Sequence, residues 1–256
     1  MSVKSSLLFL SSFSLISLLG MNQYEMAIES VGRIIEDYDS DKLFPVLGFG
    51  ARIPPDGRVS HDFFVNGHTS NPYCERIPGV LSAYRTCIRS VQLSGPTHFA
   101  PTIYHVANIA RNFVNGSKYF ILLIITDGII TDMEQTKSAI VDAALLPISI
   151  IIVGVGVADF AAMDELDGDT VRLTDQRGRK ASRDIVQFVP LRNFMESGRN
   201  NVQKSRLYLA KEVLAEIPDQ FIGFMKSRNI VPNQLPRASI NTPIDLPPDP
   251  ESFIHL

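Results

Sequence analysis

The sequence predicts an α/β fold: a doubly wound, mostly parallel sheet flanked by helices. Tyr119 to Ile125 is a continuous apolar run that stops at Thr126-Asp127-Gly128, and Ile148 to Val155 is a second, closed by Gly154 and Gly156. Neither run alternates, which is the pattern of a strand buried on both faces of a parallel sheet. Helical periodicity lies between the strand-like runs, and the connections are short. That alternation marks βα units rather than separate helical and sheet layers.

The elements follow in order. From Asn22, the residues Tyr24, Ala27, Ile28, Val31, Ile34 and Ile35 recur at helical spacing, with Glu25, Glu29, Arg33 and Glu36 on the other face. Leu43 to Phe49 is apolar, ends at Gly50 and reads as a strand. Pro54 to Gly57 is turn material. His61 to Val65 reads as a short edge strand, and Asn66 to Pro78 as a polar loop. Gly79 to Val91 fits a helix, then Gly95-Pro96-Thr97 breaks the chain. Phe99 to Phe113 is amphipathic and helical. The Tyr119 strand is followed by a helix-compatible segment from Asp132 to Leu146. Phe160 to Leu166 is a short helix, Asp167 to Asp184 a loop, and Ile185 to Val189 a strand ended by Pro190. Asn201 to Met225 is a final helix that Pro218 bends or divides. The tail after Asn229 is proline-rich and lacks apolar periodicity. Three segments result: a leader (1–20), an α/β domain (21–228) and a proline-rich tail (229–256).

A chain of 256 residues can bury a sizeable core, and an apolar fraction of 45% with 20% charged residues is ordinary for a globular domain. The net charge of −3 and the lack of a basic stripe give no case for nucleic acid. Arg177-Gly178-Arg179-Lys180 with Arg183 reads as a solvated loop. The two cysteines, Cys74 and Cys87, form no CxxC or zinc-ligand spacing. Residues 1–20 carry one charge, Lys4, and an apolar-plus-serine run from Leu7 to Leu19. That outline resembles a secretory signal, but Leu18-Leu19-Gly20 is a poor cleavage region, and the run is too short to span a bilayer.

In doubly wound sheets, functional groups lie beyond the carboxyl ends of the strands. Asp127 stands where a central strand ends, and Thr97 stands in a loop that enters a helix. One carboxylate and one hydroxyl could supply part of the oxygen shell of a hard cation such as Mg²⁺. The plain alternative is that both are caps, Thr97 on its helix and Asp127 on the following turn. Enzymatic patterns are absent. There is no second carboxylate beside Asp127, no Gly-x-Ser-x-Gly elbow, no third glycine after Gly154 and Gly156, and no P-loop. The five histidines read as structural or exposed, with His98 alone next to the candidate site. Asp164 to Asp169 lacks the spacing and terminal Glu of a calcium loop and reads as a solvated turn.

A set of collinear segments resembles the copine family. They are Asp37 to Pro45, Leu47 to Gly50, Asn71 to Cys74, Gly95-Pro96-Thr97, Phe120 to Asp132, Leu146 to Gly156, Glu165 to Asp169, Arg183 to Pro190 and Leu214 to Phe221. The likeness spans residues 21 to 230. It implies a von Willebrand factor A-like domain, normally preceded by two C2 domains that carry calcium-dependent phospholipid contacts. It also implies recruitment of cytosolic signalling or regulatory proteins, with cytoplasmic residence and calcium-dependent movement of full-length relatives to the plasma membrane. The metal-ion-dependent adhesion site of such domains places its threonine at Thr97 and its later aspartate at Asp127, with Mg²⁺ or Ca²⁺ as the cofactor.

The chain departs from that pattern at its start. No carboxylate precedes Glu25, so the Asp-x-Ser-x-Ser loop after the first strand has no acid, although Ser11, Ser12 and Ser14 offer hydroxyls. The first strand is missing or replaced by the leader, with Leu7 to Leu15 as the candidate substitute. The expectation is therefore a non-enzymatic adaptor with an incomplete metal site and doubtful membrane contact. Two alternatives stand beside it. One is a secreted or anchored domain using residues 1–20 as its signal. The other is a ubiquitin-ligase-associated relative, although the closely spaced zinc ligands of a RING are not in this sequence.

Overall fold

The computed structural model describes residues 2–10, 20–94, 96–128, 130–168, 171–195 and 202–231. In chain order the elements are β1 (Ser2–Leu10), α1 (Gln23–Tyr38), β2 (Leu43–Gly48), β3 (Ala51–Ile53), β4 (Arg58–Ser60), β5 (Phe63–Phe64), β6 (Tyr73–Glu75), α2 (Arg76–Cys87) and β7 (Gln92–Leu93). Then come α3 (Ala100–Ala110), a 3-10 turn (Arg111–Phe113), β8 (Lys118–Thr126), α4 (Met133–Ala143), β9 (Ile148–Gly154), α5 (Ala161–Asp167) and β10 (Val186–Pro190). The helices α6 (Arg192–Met195), α7 (Val202–Val213) and α8 (Ile217–Ser227) close the described chain.

The main sheet runs β10-β9-β8-β1-β2-β5, with β6 also on β2. β10, β9, β8, β1 and β2 are mutually parallel, while β5 and β6 pair antiparallel with β2. The doubly wound, mostly parallel class read from the sequence is the one found. Both apolar runs are central strands, and the structure explains why they do not alternate. Ile121, Leu123 and Ile125 of β8, with Ile151 and Val153 of β9, enter one core with α1, α2 and α7. Phe120, Leu122 and Ile124, with Ile148, Ile150 and Ile152, enter the opposite core with α3, α4 and α5. Each strand therefore needs apolar residues at odd and even positions alike.

Local chemistry sets the element ends. α1 starts in a capping box: the Glu25 amide donates to Asn22 Oδ1 and the Asn22 amide to Glu25 Oε2, both at 2.8 Å. The Arg85 guanidinium then pairs with Glu25 at 2.5 Å and ties α2 to α1. Gly48 cannot carry a side chain, because a Cβ there would stand 2.4 Å from the Phe63 ring.

Several expectations change. The leader supplies a strand at Ser2–Leu10, which starts five residues before the expected Leu7; the rest of the expected Leu7–Leu15 segment falls in residues 11–19, which with Ser11, Ser12 and Ser14 lie outside the described residues. The polar loop 66–78 contains β6, and α2 starts at Arg76, not Gly79. The His61–Val65 strand shrinks to Phe63–Phe64. A small second sheet, β4-β3-β7, brackets the expected Pro54–Gly57 turn. These strands have two or three residues each, so partner pairing specifies them, not their own pattern. The final helix is divided, with Pro218 in the first turn of α8. The tail from 232 onward lies outside the described residues. No helix among the described residues is long and apolar enough to cross a membrane.

The basic loop is not simply solvated. Arg179 pairs with Asp175 and with Asp142, each at 2.7 Å, and Arg183 reaches inward to backbone carbonyls. Nor is Asp167 part of a solvated turn: its carboxylate accepts the Phe188 amide of β10 at 2.7 Å, while Asp164 is exposed. The free cysteines Cys74 and Cys87 are buried, and burial pushes both thiols up to about 11, which keeps them protonated and unreactive.

Candidate functional site

The carboxyl ends of β8, β9 and β10 form one rim of the main sheet. Asp127 follows the last residue of β8, and its loop turns at Gly128 with φ +99°. Positive φ strains any residue with a Cβ, and here a Cβ would also stand 2.6 Å from the Phe160 ring. Phe160 likewise covers Gly154 at the end of β9, where a Cβ would stand 2.7 Å from it. Two glycines thus let one aromatic ring sit directly on the strand ends and shape the Asp127 loop. The Gly128 amide donates to Thr126 Oγ1 at 3.2 Å and completes the turn.

Thr97 lies in the loop ahead of α3 and is 9% exposed. Its carbonyl accepts both the amide and the hydroxyl of Thr131, each at 3.0 Å. The Thr97 loop is therefore hydrogen-bonded to the loop that Asp127 opens. Neither residue caps a helix in the way the plain reading supposed. The N-cap of α3 is Phe99, which offers no capping side chain. Its orphan donors are taken by Asp132: Phe99 N donates to Oδ1 at 3.0 Å and Ala100 N to Oδ2 at 2.9 Å. The Thr136 hydroxyl donates to the same carboxylate at 3.1 Å. Asp132 is buried and pins the two loops together.

Asp132 was not singled out from the sequence, because it caps a helix that begins 32 residues earlier. One sequence signal existed. A helix that starts at Phe99-Ala100-Pro101, with no Ser, Thr, Asp or Asn at the cap, needs a distant acceptor for its first amides.

The Thr97 hydroxyl and the Asp127 carboxylate make no hydrogen bond or ion pair among the described residues. One hydroxyl and one carboxylate on hydrogen-bonded loops, without partners among the described residues, are donors that a hard cation could use beside water or a bound carboxylate. Among the described residues, no group of three or more His, Cys, Asp and Glu converges to hold a metal.

One histidine, His98, directly follows Thr97 in the chain. His98 stacks on His61 with ring centroids 4.5 Å apart. Burial and then the charge of His98 hold His61 below its ordinary value, with Asp132 pulling the other way. On α3, His105 Nδ1 lies 3.0 Å from Asp62 Oδ2. That hydrogen bond raises the His105 pKa above its ordinary 6.5, against desolvation. Because the folded value is the higher one, the pair's contribution is complete below the unfolded value and fades as pH rises through the folded one. With side chains 31% and 40% exposed, the contribution should stay below about 1 kcal/mol. Asp62→Asn is expected to move the NMR titration of His105 back toward 6.5. It should also weaken the fold slightly at acid pH and leave it unchanged at alkaline pH. An unmoved His105 titration would contradict this assignment.

Comparison with known proteins finds two solved structures and one sequence family. The crystal structure of manganese-loaded Plasmodium vivax TRAP protein is similar to this chain at 12% identity and a TM-score of 0.45, over 75% of this chain and 70% of that one. Proximal thread matrix protein 1 from the mussel byssus is similar at 14% identity and a TM-score of 0.40, over 83% and 46%. The sequence model of the Copine family matches residues 12–233, which contain the whole of segment 21–228. With the collinear motifs from Asp37 to Phe221 and a doubly wound sheet that carries Thr97 and Asp127 on joined loops, this match establishes that the chain belongs to the copine family.

Proposed function

We propose that this chain is a non-enzymatic adaptor that captures other proteins at the carboxyl rim of its sheet, with Thr97 and Asp127 at the centre of contact. One observation carries the reading. Asp132 and Thr131 spend their hydrogen bonds fastening the two loops, whereas the Thr97 hydroxyl and the Asp127 carboxylate have no hydrogen-bond or ion-pair partner among the described residues. Groups left unsatisfied at a rim are available to a ligand. Mg²⁺ or Ca²⁺ would be held by these two oxygens and would supply a positive centre for a carboxylate of the partner. Cytosolic signalling or regulatory proteins are the partner class that the family suggests. The reading assigns no calcium-dependent phospholipid contact to this domain.

A pulldown with the purified chain, with and without Mg²⁺ and beside Asp127→Ala, tests the reading. Capture should fall sharply in the variant. Titration should give Mg²⁺ affinity weaker than about 1 mM, since one carboxylate is a poor cage for a cation that dehydrates reluctantly. An Asp127→Ala protein that captures the same partners equally well would refute the assignment.

A further inference from the structure

The first strand is the worst-matched element of the main sheet. β8 and β9 are buried along almost their whole length, as a doubly covered parallel sheet requires. β1 lies between β8 and β2, yet it reads Ser-Val-Lys-Ser-Ser-Leu-Leu-Phe-Leu. In register, Ser2 stands opposite Lys118, Lys4 opposite Phe120, and Ser5 opposite Ile121. Lys4 and Ser5 thus take register positions opposite apolar residues of β8, and Ser6 falls at the shift in register.

The pairing is uneven too. On the β8 side, β1 pairs from Ser2 to Leu10, with a register shift between Ser5 and Leu7. On the β2 side only Leu8, Phe9 and Leu10 pair, with Val46, Leu47 and Gly48. The next residue down β2 is Pro45, which has no amide to give to a ladder. The segment Ser2–Leu7 is therefore laddered on one side only. Its composition and its bonding both make it easier to displace than β8 or β9.

The geometry points to a strand-accepting slot between β2 and β8, and we propose that β1 is its exchangeable occupant. The ligand class is an extended, uncharged, apolar segment as long as the nine residues of β1. Such a segment, offered in trans, would run parallel to β8. Main-chain pairing along Lys118–Ile125 supplies affinity, and the apolar cores on both faces select against charge. This slot is separate from the Thr97–Asp127 site and does not depend on it.

The test uses the full chain and a fluorescent peptide of the β1 sequence, with valine at the positions of Lys4, Ser5 and Ser6 and a solubilising lysine tail. The peptide should bind. On binding, residues 2–10 should lose hydrogen-exchange protection while residues 120–125 keep theirs. A chain carrying Lys4→Val, Ser5→Val and Ser6→Val improves its own strand and should bind the peptide at least about tenfold more weakly, a difference of about 1.4 kcal/mol. Three results would each overturn the proposal. One is no uptake by the native chain. Another is equal uptake by the substituted chain, which would place the peptide elsewhere. The third is exchange of β1 between labelled copies with no peptide uptake, which would make the strand self-swapping only. Hydrogen exchange on the native chain alone gives a further check that needs no variant: protection of residues 2–10 equal to that of 120–125 would also reject it.

Discussion

Arg183→Met is expected to lower the unfolding free energy by about 3 kcal/mol, although Arg183 lies far from the candidate site. Its guanidinium is the fastener of the sheet's amino end. Nε donates to the carbonyl of Ala144 at 3.0 Å, and Nη2 donates to Ile148 at 2.8 Å and to Leu146. Nη1 donates to the Gln220 carbonyl at 3.1 Å and to the Tyr119 hydroxyl. One planar cation thus closes the end of α4, the start of β9 and the back of α8. Tyr119 is buried and shares its hydroxyl with Ser149 at 2.7 Å. Methionine matches the length of the arginine stem but leaves these carbonyls without their donor. Each lost hydrogen bond to a charged group costs about 1.5–3 kcal/mol, reduced here because Arg183 is only half-buried and water can replace some bonds. Lysine should restore little, since an ammonium cannot fork to carbonyls on three sides. With folded domains stable by only about 5–15 kcal/mol, the shift should be plain in a denaturant melt. A loss below about 0.5 kcal/mol would mean that Arg183 is only a surface residue.

Arg183 also illustrates what the sequence hides. It closes a run of basic residues whose spacing is that of a solvated loop, and nothing in that run names its partners. Apart from the Tyr119 hydroxyl they are carbonyls, at positions 144, 146, 148 and 220, and carbonyls have no sequence signature. By contrast, the Tyr119 and Ile148 runs were legible because both faces of a central strand are apolar, whatever packs on them. Their lengths and their glycine stops fixed where a rim had to be. The small strands β3, β4, β6 and β7 escaped notice because a pairing of two or three residues is decided by the partner strand. The start of α2 escaped for a related reason. Arg76 takes φ +54°, an unusual conformation for a residue with a Cβ, set by the β6 pairing just before it.

The candidate site was half legible. Thr97 and Asp127 followed from one rule about strand ends and from a family likeness. The residue that fastens the loop of Asp127 to the start of α3, Asp132, works across a gap of more than thirty residues. Its side chain caps α3, while its backbone begins α4, where the Thr136 amide donates to its carbonyl at 2.8 Å. A residue that serves two helices at once shows in sequence only as an acid ahead of a helix, which is a common sight.

Phe160→Ala should cost about 3–5 kcal/mol and should also loosen the rim. The ring is 3% exposed and packs on Phe188 with centroids 5.3 Å apart, while the Arg192 guanidinium lies 4.9 Å above it. Most core aromatics press on side chains that can shift into a void. Phe160 presses on the backbone at Gly128 and Gly154, and backbone at the end of a parallel strand moves little. The cavity should therefore persist rather than collapse, which puts the cost toward the top of the range for aromatic truncation. The loss also removes the wall behind Gly128, whose positive φ carries Asp127 round the turn. Hydrogen exchange over 126–131 should rise by more than global destabilisation alone accounts for, and protein capture should fall with it. Phe160→Leu, which keeps most of the volume, should cost less than half as much and preserve capture. If alanine and leucine weaken capture equally while the exchange of 126–131 stays at the global level, Phe160 is ordinary core and does not hold the Asp127 loop. Gly128→Ala probes the same contact from the other side. It adds a methyl where the ring already sits, and it should displace the Asp127 loop without emptying the core.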